Sequence, residues 1–168
     1  MENRYVFRAA VPEDVDKIMV IMEQAKALML REGRRQWDDK YPNVEHIVDD
    51  VARGYGYVFA DGDEIMVYGA VVYDGEPAYE GLDGEWLSVQ PYVVVHRLAV
   101  SDAYKGHGLA AAFMSVVSEA ASKRVRSFKV DTNFDNVYML RVLDRLGFSY
   151  CGKIQYEGGE RLAFEILL

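Results

Sequence analysis

One stretch restricts the fold of this chain more than any other: residues 91–120, PYVVVHRLAVSDAYKGHGLAAAFMSVVSEA. Its first part is a run of β-branched residues, the composition of a buried strand. Its last part has apolar residues at helical spacing, with Leu109, Phe113, Val116 and Val117 on one face. Between them lies Lys105-Gly106-His107-Gly108-Leu109-Ala110. A chain that passes from strand to helix through two glycines meets no bulky Cβ at the first helical turn. The N–H groups that open such a helix lack partners within it, and the helix dipole stands behind them. That is a site for an anion, and phosphate suits it best.

Spacing narrows the kind of phosphate site. A P-loop needs GxxxxGK followed by Ser or Thr, which is not present here. The dinucleotide fingerprint GxGxxG is also absent.

With 168 residues, 51% of them hydrophobic and 27% charged, the whole chain reads as a single globular domain, residues 1–168. A net charge of -8 opposes long-range attraction to nucleic acid or an anionic membrane and is compatible with a cationic amine. The single Cys151 can form no internal disulfide, which favours a reducing, cytoplasmic setting. Met1-Glu2-Asn3-Arg4 does not read as a signal peptide, and no apolar stretch reaches the ~20 residues of a membrane span. His46, His96, His107 and Cys151 are scattered without metal-ligand spacing, so no metal is assigned.

In chain order, 5–8 is a short strand, followed by a helix entered at Pro12 with Glu13 and Asp14 in its first turn. Val11 is a poor cap for it. Val15, Ile18, Met22, Ala25 and Met29 form its core-facing stripe, and Gly33 closes it. Residues 34–42 have no periodicity. Asn43 caps a second helix with Val44, Ile47, Val48 and Val51 along one side. A hairpin follows over 55–73, then an irregular region over 74–90 that is either a plain excursion or a substrate contact. After the central strand, turn and third helix, 128–131 is a strand parallel to the central one if the connection is a right-handed crossover. Met139, Val142, Leu143 and Leu146 line a fourth helix ended by Gly147, and 149–155 with 161–168 form a closing antiparallel pair. The apolar end 162–168, taken as an uncovered strand edge, suggests a homodimer.

The turn Lys105 to Ala110 resembles the R/K/Q-x-x-G-x-G/A pyrophosphate-binding segment of the GNAT superfamily of N-acetyltransferases. Lys105 stands at the basic position, Gly108 at the glycine and Ala110 at the small residue. Asp131-Thr132-Asn133-Phe134-Asp135-Asn136, followed by Leu146-Gly147-Phe148, resembles the family's next strand, asparagine and helix end. DTNFDN, GFSYCG and ERLAFE look most like bacterial members whose acceptors are mostly unassigned. The resemblance covers nearly the whole chain and implies a mixed α/β fold, a mostly antiparallel central sheet with helices on both faces.

The resemblance also implies an acetyl-CoA-dependent N-acetyltransferase acting on a primary amine of a small molecule or peptide. Leu98, Ala99 and Val100 on the strand, with Lys105, Gly106, His107, Gly108, Leu109 and Ala110 in the turn, are the implied cofactor contacts. Asn136 is the implied pantetheine contact. His107 is either a phosphate neighbour or solvent-facing. Trp37 and Tyr41 either line the acceptor side or cover the sheet edge as core satellites. His96 is read as the base that takes the amine's proton, on the same strand face as Leu98, or else as a buried brace. Arg97 is expected on the opposite face.

One departure stands out. The family often has a tyrosine four residues before the glycine of the Gly-Phe pair, where it protonates the departing thiolate. Here that residue is Leu143. Tyr138, five positions earlier and about 140° around the helix, is the remaining candidate for the role. The vacancy leaves open a second class of function, a non-catalytic acyl-CoA-binding sensor or assembly module. Transfer from a different acyl-CoA is a third possibility.

Overall fold

The computed structural model describes residues 4–168; Met1 to Asn3, part of the stretch that does not read as a signal peptide, lie outside the described residues. Strand β1 (Val6–Ala9) leads through a 3-10 turn at Pro12–Asp14 into helix α1 (Val15–Arg31). Val11 supplies no side-chain cap. The Asp14 carboxylate takes its place, accepting the Val11 N–H at 2.9 Å and two Arg8 N–H bonds at 2.7 and 3.0 Å. Ile18, Met22 and Met29 are buried, with Val15 and Ala25 packed beside them. Gly33 takes φ +71, and the Arg34 N–H reaches back to the Met29 carbonyl at 2.8 Å, closing the helix.

Helix α2 (Val44–Ala52) is capped by Asn43, whose side chain accepts from the His46 N–H while the His46 ring accepts from the Asn43 N–H. Its apolar stripe differs from the expectation. Val44 and Val48 are 48% and 50% exposed, whereas Ile47 and Asp50 are buried. The acidic residue faces inward because a partner waits for it there.

Strands β2 (Gly56–Asp61) and β3 (Glu64–Val72) form the expected antiparallel hairpin. The region read as irregular contains a 3-10 turn at Pro77–Gly81 and the short strand β4 (Asp83–Gly84). There follow β5 (Tyr92–Val100), α3 (Leu109–Ala121), β6 (Ser127–Thr132), α4 (Val137–Leu146), β7 (Ser149–Tyr156) and β8 (Gly159–Leu167). The strand order is β1-β2-β3-β5-β6-β8-β7-β4. Pairing is mostly antiparallel, and β5 with β6 is parallel. This is a mixed α/β fold with flanking helices. Strand β8 pairs with β6 on one side and β7 on the other. Its apolar residues therefore sit inside the sheet, and the uncovered edge that suggested a homodimer does not exist.

By its contacts the chain divides into two compact units. The first comprises residues 4–71 and 96–113. Its core gathers Ile18, Met22, Ile47, Val58, Tyr68 and Ala99, with Trp37 at its margin. On the other side of its strands Phe7, Phe59 and Phe113 meet edge-on, with ring centroids 5.2–6.0 Å apart. The second comprises Val72–Val95 and Met114–Leu168. Tyr79, Val94, Ile154 and Ala163 form a core cluster there, with Trp86, Tyr92 and Tyr156 packed against it. Gly147 at φ +88, with the Phe148 N–H bonded to the Leu143 carbonyl at 3.0 Å, ends α4 as its position predicts.

Candidate functional site

Strand β3 is the sheet neighbour of β5, and just beyond β5 the Ser101 N–H makes a 2.8 Å bond to the Met66 carbonyl. The strand then turns through Ser101 to Gly108 into α3. Gly106 and Gly108 adopt φ +83 and +71, the left-handed region that an L side chain enters only at a cost. Apart from the glycine itself and its chain neighbours, no atom lies within 4 Å of where a Cβ would stand on either residue. The turn thus fronts open space of the kind an anion needs. The first helical bond comes from Ala112 to the Gly108 carbonyl at 3.0 Å, so the N–H groups of Leu109, Ala110 and Ala111 precede the helical ladder. Leu109 and Ala110 anchor the turn by burying their side chains. His107 is exposed, and the Lys105 ammonium pairs with Asp102 at 2.7 Å. Part of its charge is therefore spent locally.

Strand β5 holds the sharpest backbone feature of the site. Arg97, at φ +54, is the non-glycine residue with positive φ among the described residues. Such a conformation inside a strand strains the backbone, and its persistence requires surrounding contacts that fix it. Those contacts are visible. Arg97 donates from Nε and Nη2 to the two oxygens of Asp50 at 2.8 and 2.6 Å, and from Nη1 to the Tyr41 hydroxyl at 3.0 Å. Tyr68 donates its hydroxyl to Asp50 at 2.6 Å. Asp50 is 2% exposed and Tyr68 is fully buried. Burial alone would lower the affinity of Arg97 for its proton, but the Asp50 bond and the neighbouring oxygens outweigh it and raise the pKa. Burial, then Asp50, raises that of the Tyr68 phenol.

The other strand residues fall around this feature. Ala99 packs into the core with Tyr68 and Ile47. Leu98 lies on the opposite side, where its Cδ1 would be 3.4 Å from a Cβ built on Gly69, beside Phe113. Val100 and His96 are half-buried. Period-two alternation does not carry across a left-handed residue, so it cannot by itself put His96 and Leu98 on one face. Trp37 is 9% exposed and belongs to the core cluster, whereas Tyr41 is 36% exposed with its hydroxyl on Arg97.

In the second unit, the β5–β6 ladder spans Tyr92↔Ser127 to Val94↔Lys129 and stops, although β6 runs on to Thr132. Asn136 caps α4. Its carbonyl accepts from the Met139 N–H at 3.2 Å and its amide donates to Thr132 Oγ1 at 3.1 Å. Tyr138 is 53% exposed on the first turn, and Leu143 is fully buried. The 74–90 region is held firmly. Tyr79 donates to Asp131 at 2.6 Å, Trp86 donates to the Tyr79 carbonyl at 2.9 Å, and Glu165 accepts from Leu87 and Ser88. These polar anchors, like the Asp50–Arg97 pair, escaped the sequence reading. The available signal was an acidic residue at an inward position of a periodic segment. Among the described residues, no group of three or more His, Cys, Asp or Glu side chains could hold a metal ion, and no helix is long and apolar enough to cross a membrane.

A mostly antiparallel sheet with one parallel pair among its ladders, and a glycine turn opening the helix between the parallel strands, is the acyl-CoA N-acyltransferase fold. The chain belongs to the acetyltransferase (GNAT) family, whose model matches residues 22–148. It is similar to a GNAT-family acetyltransferase from Streptococcus agalactiae, with 34% identity and a TM-score of 0.90 over 98% of this chain and 95% of the other. A GNAT-family acetyltransferase from Listeria monocytogenes shares the fold at 20% identity, with a TM-score of 0.77 over 98% and 95% of the two chains. The yncA protein of Salmonella typhimurium, solved with its cofactor acetyl-CoA, shares it at 15% identity and a TM-score of 0.70, over 98% and 94%. No curated protein matches the sequence.

Proposed function

We propose that this chain, as one functional domain, transfers the acetyl group of acetyl-CoA to a primary amine of a small molecule or peptide, both substrates being bound together. The observation that carries the reading is the turn after β5, where two left-handed glycines front open space at the start of α3. That cradle fits a pyrophosphate, which its backbone N–H groups would bond and the helix dipole would favour. Lys105 and His107 contribute at its rim, and Leu109 and Ala110 hold its shape. The solved yncA complex supports acetyl-CoA as the ligand class.

When bound, acetyl-CoA supplies an activated thioester. The chain's share of the chemistry is to bind, orient and move a proton. The backbone of Leu98, Ala99 and Val100 orients the acyl end, and Asn136 is assigned to the pantetheine arm. His96 takes the proton that the attacking amine must lose, directly or through water. Trp37 braces the acceptor side from the core, and Tyr41 presents an exposed ring there. Proximity supplies the largest part of the rate. The lone, buried Cys151 supports a cytoplasmic setting. A homodimer is retained as a proposal, for light scattering to decide.

Titration calorimetry with acetyl-CoA on the wild type and Gly108→Val, joined to thiol release with an amine panel, tests this. Expected are binding by the wild type, a loss of about tenfold or more in a folded Gly108→Val, and turnover with at least one amine. Unchanged affinity in the variant would refute the turn assignment. A second reading has its own observation: Leu143, fully buried where the family often has a tyrosine, donates no proton. Binding without turnover on any amine selects that reading, an acyl-CoA sensor, and removes Tyr138 with it.

A further inference from the structure

We propose that Asp50 is a positioning residue for acetyl transfer: through Arg97 it holds β5 in its left-handed turn of backbone, and so sets the direction of the Arg97–Leu98 peptide. This rests on the transferase reading above.

The geometry has three parts. First, a non-glycine residue at φ +54 within a strand relaxes toward extended backbone unless something holds it. Second, what holds it is a fork. Both Asp50 oxygens accept from one guanidinium, at 2.8 and 2.6 Å, which fixes Arg97 in orientation as well as in distance. Third, the fork is itself held. Asp50 sits on α2 at 2% exposure and takes the Tyr68 hydroxyl of β3 at 2.6 Å, while Arg97 also binds the Tyr41 hydroxyl. Two other elements of the same unit therefore fix one residue of the strand. That residue lies between His96, the proposed base, and Leu98, whose backbone is proposed to orient the acyl end. A carboxylate fully committed to three hydrogen bonds is a holder and not a proton acceptor for substrate.

Arg97 is replaceable as a charge if the backbone can reach φ +54 unaided, and glycine can. The test compares two variants, Asp50→Asn/Arg97→Gly and Asp50→Asn/Arg97→Ala. Both lack the ion pair, and in both the new asparagine carbonyl still accepts from the Tyr68 hydroxyl. They differ by one Cβ, which strains the left-handed region. With acetyl-CoA and the best amine of the panel, kcat of the glycine variant should exceed that of the alanine variant by about tenfold, the scale of a small misplacement of reacting groups. Their acetyl-CoA affinities should agree within about threefold, because the turn at Gly106 and Gly108 is untouched. Asp50→Asn alone should behave like the alanine variant.

A purely structural ion pair predicts otherwise. Both double variants would lose melting temperature with equal kcat well below it, and that result would overturn the proposal. A readout free of turnover is amide exchange at Leu98 and Ala99, followed by NMR. Exchange should be near wild type in Asp50→Asn/Arg97→Gly and clearly faster in Asp50→Asn/Arg97→Ala. Equal exchange in the two would also overturn the proposal. If the wild type binds acetyl-CoA but acetylates no amine, the transferase reading fails, and amide exchange alone decides whether Asp50 holds the strand.

Discussion

Glu165 provides the most demanding test of the packing. It lies on β8 between two neighbouring strands and is fully buried. One oxygen accepts from the Leu87 N–H at 2.8 Å, and the other from the hydroxyls of Ser88 and Ser127 at 2.8 and 2.7 Å. Across the ladder it faces Lys129, whose ammonium stands 4.2 Å from the ring centroids of both Trp86 and Tyr92. Burial pushes the Lys129 pKa down, and Glu165 pulls it part of the way back. Glu165→Ala removes all three acceptor contacts. Ser127 is fully buried, so its abandoned hydroxyl costs about 2 kcal/mol, while Leu87 and Ser88 reach water and lose about 1 kcal/mol each. The expected loss is about 4 kcal/mol, or roughly 8–16 °C in Tm for a chain of this size. Glu165→Gln should cost only about 1–2 kcal/mol. Its amide oxygen can accept from Leu87, and its amide nitrogen can donate to both serine hydroxyls. Urea unfolding checks the difference, and limited proteolysis should show new cleavage over 87–89 in the alanine variant. A loss below about 1 kcal/mol for alanine, or equal losses for both variants, would refute the assignment of these bonds.

Other outcomes follow from separate features. His96→Gln should keep acetyl-CoA affinity and lose turnover by about 10²-fold; wild-type turnover in a folded variant would remove His96 from the mechanism. Gly69→Ala would place a Cβ 2.7 Å from Cε1 of the fully buried Phe113, and should cost about 1–3 kcal/mol in urea unfolding. The bonds from Arg8, despite burial, lower the Asp14 pKa, so its stabilisation is complete above the unfolded-state value of about 3.9 and is lost as pH falls through the lower folded value. Asp14→Asn should therefore be less stable than wild type by about 1 kcal/mol at pH 7, with the gap closing as the medium is acidified; a gap that widens in acid would reverse the sign.

What could be read in advance was local. Ile18, Met22 and Met29 announce a buried helical face, Gly33 and Gly147 announce helix ends, and the glycines after β5 announce the turn, because each signal lies within a few residues of its effect. The misreadings all involve partners distant in sequence. Asp50 turns inward because Arg97, 47 residues later, meets it, and Val44 and Val48 are exposed in consequence. Glu165 is buried because Leu87, 78 residues earlier, donates to it. The segment 162–168 reads as an open edge because its neighbours on the sheet cannot be counted from apolar content. Leu143 was legible by position, and its burial shows that the place where the family often has a tyrosine is occupied here by core.

The two parts of the proposed site respond differently to sequence change, and this follows from which atoms do the work. The turn is proposed to act through backbone N–H groups and two positive-φ glycines, so changes of side chain at His107 should leave anion binding intact. Strand geometry at Arg97 instead depends, for any residue other than glycine, on a carboxylate, a guanidinium and two phenols joined by hydrogen bonds. Acetyl-CoA affinity should therefore follow changes at Gly106 and Gly108, and kcat should follow changes at Asp50 and Arg97. Loss at Asp50 without compensation at Arg97 leaves a charged group stranded inside the first unit, the costlier of the ways to break such a pair. Neutralising both together, with alanine at position 97, leaves a chain that can still fold and bind while its acyl end is no longer aimed. Catalysis in this chain can on that account be lost while cofactor binding is kept.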